Sequence, residues 1–183
     1  MPHSDERLRP WILEELRRHA DPAGFTAVAD IGAGAGTWLD FLKPHTPQAW
    51  WMAFEVWFPY VETYGLCDRY DQVIIGDIRE QDPLPEADLY VFGDVLEHMP
   101  ADDAVALWDR ARVVASWLVI NLPVLRYEQG PLFGNPHEVH VHHWDLPSVL
   151  ESFEGIVAYH GPMEDGSGSV VGAFIARGTC TPA

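Results

Sequence analysis

The stretch VADIGAGAGTWLDFL, residues 28–42, places Gly32, Gly34 and Gly36 at alternate positions between an apolar run and an amphipathic one. An apolar run ending in an acid, followed by glycines and then by helix-like spacing, predicts a strand, a tight turn and a helix. At such a junction backbone N–H groups are left over at the helix start and its dipole favours negative charge, so an anionic ligand group is expected against the loop. The dinucleotide fingerprint GxGxxG needs a glycine where this chain has Thr37. A nicotinamide-dependent oxidoreductase is disfavoured on that ground.

Working outward, short apolar runs alternate with helical patterns along the chain: FTAVAD then TWLDFL, WMAFEV then FPYVETYGL, QVIIGD, ADLYVFGD then ADDAVALWDRARVV, SWLVINLP, DLPSVLESF, GIVAYHG and SVVGAFIA. Most of the early runs are apolar on both faces, as strands covered by helices on both sides of a sheet are. The expected fold is α/β, a three-layer sandwich around a mostly parallel sheet of about seven strands. The last two runs are joined by GPMEDGSGS with no helix between them, which predicts an antiparallel pair at one edge. A first helix opens at Ser4 or at the Arg9-Pro10 step, with Trp11, Ile12, Leu13 and Leu16 inward and Arg17, Arg18 and His19 at its C-terminal dipole. At 183 residues one domain is expected: 1–24 a helix and linker, 25–177 the core, 178–183 a tail.

The net charge of -17 repels a phosphate backbone or an anionic membrane at long range, so nucleic acid is a poor substrate. The two cysteines, Cys67 and Cys180, form no framework or CxxC pattern. With no apolar run near the ~20 residues of a membrane span and no secretory leader pattern at the start, a soluble cytoplasmic protein is expected.

Acids recur where strands end: Asp30, Glu55, Asp77 and Asp94. In an open α/β sheet that edge binds ligands. Four carboxylates there oppose a pyrophosphate and suit a ligand with a hydroxyl pair, an amino group and a cationic centre. VADIGAGAG, FEV, GDI and GDVLEHM, in that order and at suitable intervals, resemble the motifs of the class I, Rossmann-like S-adenosylmethionine-dependent methyltransferases over roughly residues 25–177. The resemblance implies S-adenosylmethionine as cofactor and methyl transfer to a small-molecule acceptor. It implies that Asp30, Ile31, Gly32, Ala33, Gly34 and Gly36 hold the methionyl part and that Glu55, with Val56 beside it, holds the ribose hydroxyls. Asp77 and the Ile78 backbone would meet the adenine, and Asp94 and Val95 would lie beside the methionyl and adenosyl groups. Each acid has a plainer reading as a helix cap or turn residue. A non-catalytic cofactor-binding or partner subunit and a methyltransferase acting on protein stay open as alternatives.

Methyl transfer from a sulfonium is an in-line displacement that the protein serves by alignment and by excluding water; a base helps only where the acceptor must lose a proton. If there is one, the long stretch 124–144 is where it is expected. In NPHEVHVHHWD an extended segment would put Glu138, His140 and His142 on one face and His137, Val139, Val141 and His143 on the other. Three readings compete: first a lid or hairpin whose histidines are solvated or bonded to backbone, then a substrate-facing base in His140 or His142, and last a metal site from Glu138, His140 and His142. The metal reading is disfavoured for want of HxxxH or CxxC spacing, and no metal is expected. Tyr127 and His98 are candidate acceptor contacts. His98 follows Asp94 by four residues on an expected helix, and Trp57 and Tyr60 are further candidates for an aromatic wall.

Overall fold

The computed structural model describes residues 5–126, 128–164 and 170–180. The apolar runs become strands β1 (Ala27–Ile31), β2 (Trp50–Glu55), β3 (Gln72–Ile75), β4 (Ala87–Gly93), β5 (Ala115–Pro123), β6 (Ile156–Glu164) and β7 (Val170–Arg177). They form one sheet in the order β3-β2-β1-β4-β5-β7-β6. The first five strands run parallel, and β7 lies antiparallel between β5 and the edge strand β6.

Side chains alternate across this sheet, so β4 serves two cores at once: Leu89 and Val91 pack with Ile12, Leu16, Trp38 and Trp51 on one side, Tyr90 and Phe92 with Trp108, Trp144 and Phe153 on the other. That double covering is why the central strands read as continuous apolar runs. The edge strands read differently: β6 alternates between half-buried and exposed residues along most of its length.

Among the described residues six α-helices cover the faces: α1 (Arg9–His19), α2 (Thr37–Leu42), α3 (Phe58–Thr63), α4 (Leu66–Arg69), α5 (Ala101–Val114) and α6 (Leu146–Ser152). Helix α1 starts with Pro10 in its first turn and buries Ile12, Leu13 and Leu16. Trp11 is only half-buried, its ring set edge-on to His160 at 5.5 Å. The run FPYVETYGL splits into α3 and α4 because Gly65 takes a left-handed conformation, φ 58°, between them. No helix among the described residues is long and apolar enough to cross a membrane.

Two segments depart from expectation. The run after β4 does not continue as a helix: Leu96–His98 is a single 3-10 turn, and Met99 and Pro100 turn extended before α5 begins. Residues 124–145 form no extended strand pair; a 3-10 turn at Pro136–Glu138 and an isolated bridge between Leu132 and Asn135 are their regular features among the described residues. A capping box closes this stretch, Asp145 accepting from the Ser148 N–H at 2.8 Å while Ser148 Oγ accepts from the Asp145 N–H at 2.9 Å. Such caps stabilise by about 1 kcal/mol and here fix where α6 starts.

Candidate functional site

Strands β1 and β4 are neighbours, but the chain runs outward from them in opposite directions, toward β3 on one side and β6 on the other. A crevice at their C-terminal ends follows from that reversal. The glycine turn fills its floor. Gly32, Gly34 and Gly36 all have positive φ, at 65°, 52° and 72°. A Cβ on Gly32 would lie 2.6 Å from Val95 Cγ2, and one on Gly36 would lie 2.6 Å from the Arg69 guanidinium. Close approach is therefore what these two positions require.

The turn's amides are largely spoken for within the protein. Gly32 and Ala33 both donate to the Phe54 carbonyl, at 2.8 and 3.1 Å, Gly36 donates to the Ala33 carbonyl at 2.7 Å, and Gly34 donates to Glu55 Oε2 at 2.9 Å. Instead of presenting these donors to an anion, the turn straps itself to the end of β2. Helix α2, only six residues long, brings little dipole to the site.

The four acids occupy different environments. Glu55 is buried, receives the Gly34 and Trp57 N–H groups on separate oxygens and lines the cavity; burial nevertheless raises its pKa. Asp30 is fully buried beneath the turn, where the Tyr70 hydroxyl donates to it at 2.5 Å, and it does not line the cavity. Desolvation lifts its pKa to about 7 against the opposing pull of that hydrogen bond. Asp77 caps the turn Ile78–Glu80 through the Arg79 N–H, and the Arg79 guanidinium grips both of its oxygens, which keeps its pKa below the usual range. Asp94 has positive φ, 54°, and accepts the Asp5 N–H at 3.0 Å.

The cavity, its open mouth included, holds about 810 Å³ of space free of protein atoms. Of the expected cofactor residues, Ile31, Gly32, Gly34, Glu55, Val56, Asp77, Ile78, Asp94 and Val95 line it; Asp30, Ala33 and Gly36 lie behind the wall. His98 lines it, and so does Tyr60. Tyr127 lies outside the described residues. His140 and His142 are not on the wall. The sequence did not single out Arg79, Met99, Asn135 or His137 as wall residues. Arg79 carried a signal, a charge two residues past Asp77; Met99 ends the GDVLEHM segment after β4, and Asn135 and His137 follow only from how the long stretch folds back.

That stretch reaches the site through Glu138. It is buried, accepts the Tyr60 hydroxyl at 3.0 Å, and its carbonyl accepts from Gln129 Nε2 at 2.8 Å. The expected two-faced strand is absent: His140 and His143 lie ring to ring at 6.3 Å, not on opposite faces, and His142 packs edge-on against Trp144 at 4.5 Å. His98 Nδ1 donates to the Val139 carbonyl at 3.1 Å, and burial pushes its pKa down to about 4, so the ring is neutral with a lone pair on Nε2. Glu97 is 1% exposed, and neither carboxylate oxygen has a hydrogen-bond partner among the described residues. Burial, with Asp94 nearby, raises its pKa well above the ordinary value.

No known family model matches the chain. It is 28% identical over 122 residues to a trans-aconitate 2-methyltransferase of Mycobacterium sp. (strain KMS), a match covering 66% of this chain and 46% of that relative. The chain thus spans about half the length of the curated relatives it matches. Among solved structures, it is similar to the N-terminal domain of EvdMO1, crystallised with SAH and D-fucose, at TM-score 0.67 and 17% identity, over 96% of this chain and 84% of that one. It is also similar to the 1,6-didemethyltoxoflavin-N1-methyltransferase of Burkholderia thailandensis, with bound 1,6-didemethyltoxoflavin and S-adenosylhomocysteine, at TM-score 0.66 and 18% identity, over 96% and 80% of the two chains. By its strand order and by these likenesses, the chain has the class I, Rossmann-like fold of the S-adenosylmethionine-dependent methyltransferases.

Proposed function

We propose that the chain is an S-adenosylmethionine-dependent methyltransferase acting on a small-molecule acceptor, on one domain built around residues 25–177. The observation that carries this reading is the cavity at the ends of β1 to β4, lined in order by Gly32 and Gly34, Glu55, Asp77 and Asp94. The trans-aconitate 2-methyltransferase relative and the 1,6-didemethyltoxoflavin-N1-methyltransferase neighbour, both named for small molecules, support it.

The residues present fit the cofactor. Gly32 keeps clear a space that a Cβ would contest with Val95. Glu55 keeps acceptor capacity on both oxygens after its two backbone bonds and is suited to a pair of ribose hydroxyls. Ile78 and Met99 offer apolar wall for a flat ring. The carboxylates of Glu55, Asp94 and Glu138 favour a cationic ligand. When bound, S-adenosylmethionine supplies an electrophilic methyl group. The chain's share is to orient that group and to exclude water, with Glu138 and Tyr60 closing the side formed by the long stretch. Asp30 and Gly36, behind the wall, are assigned to shaping the turn.

The acidity of the chain favours a small acceptor over nucleic acid. Free Cys67, exposed, and free Cys180 fit a reducing compartment such as the cytoplasm. Calorimetric titration with S-adenosylmethionine, S-adenosylhomocysteine and NAD tests the reading. Binding of the first two alone, in the micromolar range typical of such ligands, is expected; absence of both, or preference for NAD, overturns it.

A further inference from the structure

Behind the wall that His98 contributes to the cavity stands a cluster the proposed cofactor site does not use. A carboxylate oxygen of Glu97 and ring nitrogens of His98 and His140 lie within 4.8 Å of one another. We infer that Glu97, His98 and His140 form a site for one divalent transition-metal ion at the acceptor end of the cavity, with its open positions available to an oxygen atom of the acceptor.

Three observations converge. Glu97 is 1% exposed with both oxygens unpartnered among the described residues, and a carboxylate removed from water calls for a cation or a proton. The Nδ1–H of His98 is fixed on the Val139 carbonyl, which leaves Nε2 as the donor atom. Ligating imidazoles are oriented in this way by a second hydrogen bond on the opposite nitrogen. His140 is held in place by backbone: the Val141 and His142 N–H groups both donate to the Glu97 carbonyl, at 2.8 and 3.0 Å. The loop is thereby tied to the very residue that supplies the carboxylate, and the His98 and His140 rings stand 5.0 Å apart, centroid to centroid.

Donors sharing one ion at metal–ligand distances of about 2.0–2.2 Å lie roughly 3–4 Å apart, so a small turn of the half-buried His140 completes the set. Two imidazoles and one carboxylate suit zinc, iron(II) or cobalt(II) and not the all-oxygen preferences of calcium or magnesium. Three protein ligands leave at least one position open, as in catalytic sites of this donor type. Since His98 lines the cavity, an ion there lies next to whatever fills it. An acceptor with a hydroxyl or carboxylate oxygen is the ligand class such an ion takes. The acceptor's part in this rests on the methyltransferase reading; the ion site itself does not.

The test uses the full chain purified without a histidine tag and stripped with chelator. Cobalt(II) is titrated while visible absorption is followed, and zinc(II) by calorimetry. Melting temperature and S-adenosylhomocysteine binding are measured on the same preparations. One ion per chain is expected, with affinity falling by about 100-fold or more in His140→Ala and in the near-isosteric Glu97→Gln. His160→Ala, on an exposed histidine of β6, is expected to leave it unchanged. A folded wild-type chain that binds S-adenosylhomocysteine but takes up no stoichiometric ion overturns the inference, as does an ion retained by both site variants. An ion bound through Glu97 and His140 without any binding of S-adenosylhomocysteine upholds the site and removes the methyltransferase reading.

Discussion

The cavity has two sides made in different ways. Its sheet side consists of residues within a few positions of a strand end, and two of its acids are tied to nearby backbone: Glu55 to Gly34 and Trp57, Asp77 to Arg79. Its loop side consists of a long irregular stretch held by a few distant side-chain bonds, Tyr60 to Glu138 across 78 positions and His98 to Val139 across 41. The first is rigid because the sheet is rigid. The second is a cover whose position depends on individual contacts. Changes on the sheet side should therefore register in cofactor affinity and global stability, and changes on the loop side in local order.

The largest effect is expected at Asp30, deepest on the sheet side. Its folded pKa, about 7, is raised above that of the unfolded chain. The protonated form is the one the fold favours, so the stability this group contributes is complete below about pH 4 and is lost as pH rises through 7. Chemical denaturation of wild type and Asp30→Asn across pH 4–8 should show the wild type losing about 4 kcal/mol more than the variant over that window. Parallel slopes in the two proteins would refute the buried-acid account. The comparison is made on slopes because the Asn amide brings its own buried donors, a constant offset.

Glu55→Ala comes next. Removing a carboxylate that both braces Gly34 and lines the cavity should weaken S-adenosylhomocysteine binding by about 1.5–3 kcal/mol, roughly 10- to 100-fold by calorimetry. Unchanged affinity would separate Glu55 from the ligand and leave it as a brace only.

How much of this was legible in the sequence follows the same division. Helices α2 and α5 have the bounds their patterns predicted, because glycine, proline and apolar spacing act locally. The strand ends and their acids were legible for the same reason. The use of Asp30 was not, since it depends on Tyr70, forty positions away in sequence and brought close only by the packing of α4 under the sheet. Likewise Glu97 read as part of a motif whose histidine drew attention, yet its burial comes from the loop folding over it. Alternation in NPHEVHVHHWD suggested a strand, but Pro136 and the Asn135 side chain, which accepts the His137 N–H, set a turn there instead, and the alternation lost its meaning.

On the loop side, Tyr60→Phe removes the hydroxyl that reaches Glu138. A loss of about 1 kcal/mol is expected, appearing as faster hydrogen exchange or proteolysis between residues 129 and 140 with little change in the sheet. Uniform loosening of the whole chain would show that the loop is not a separate unit.

The smallest effect is expected at His142, which the sequence offered as a base. Its ring packs on Trp144 and stays off the cavity wall, so His142→Ala should leave S-adenosylhomocysteine affinity within about twofold, an effect below 0.5 kcal/mol. Stability should drop by about 0.5–1 kcal/mol from the lost ring contact, since Trp144 is itself 2% exposed and anchors the end of the loop against Phe153. A tenfold loss of affinity would mean that the Trp144 anchor sets the shape of the cofactor side as well. The two sides would then be one cooperative structure, and the rigidity assigned to the sheet ends would belong to the loop that closes over them.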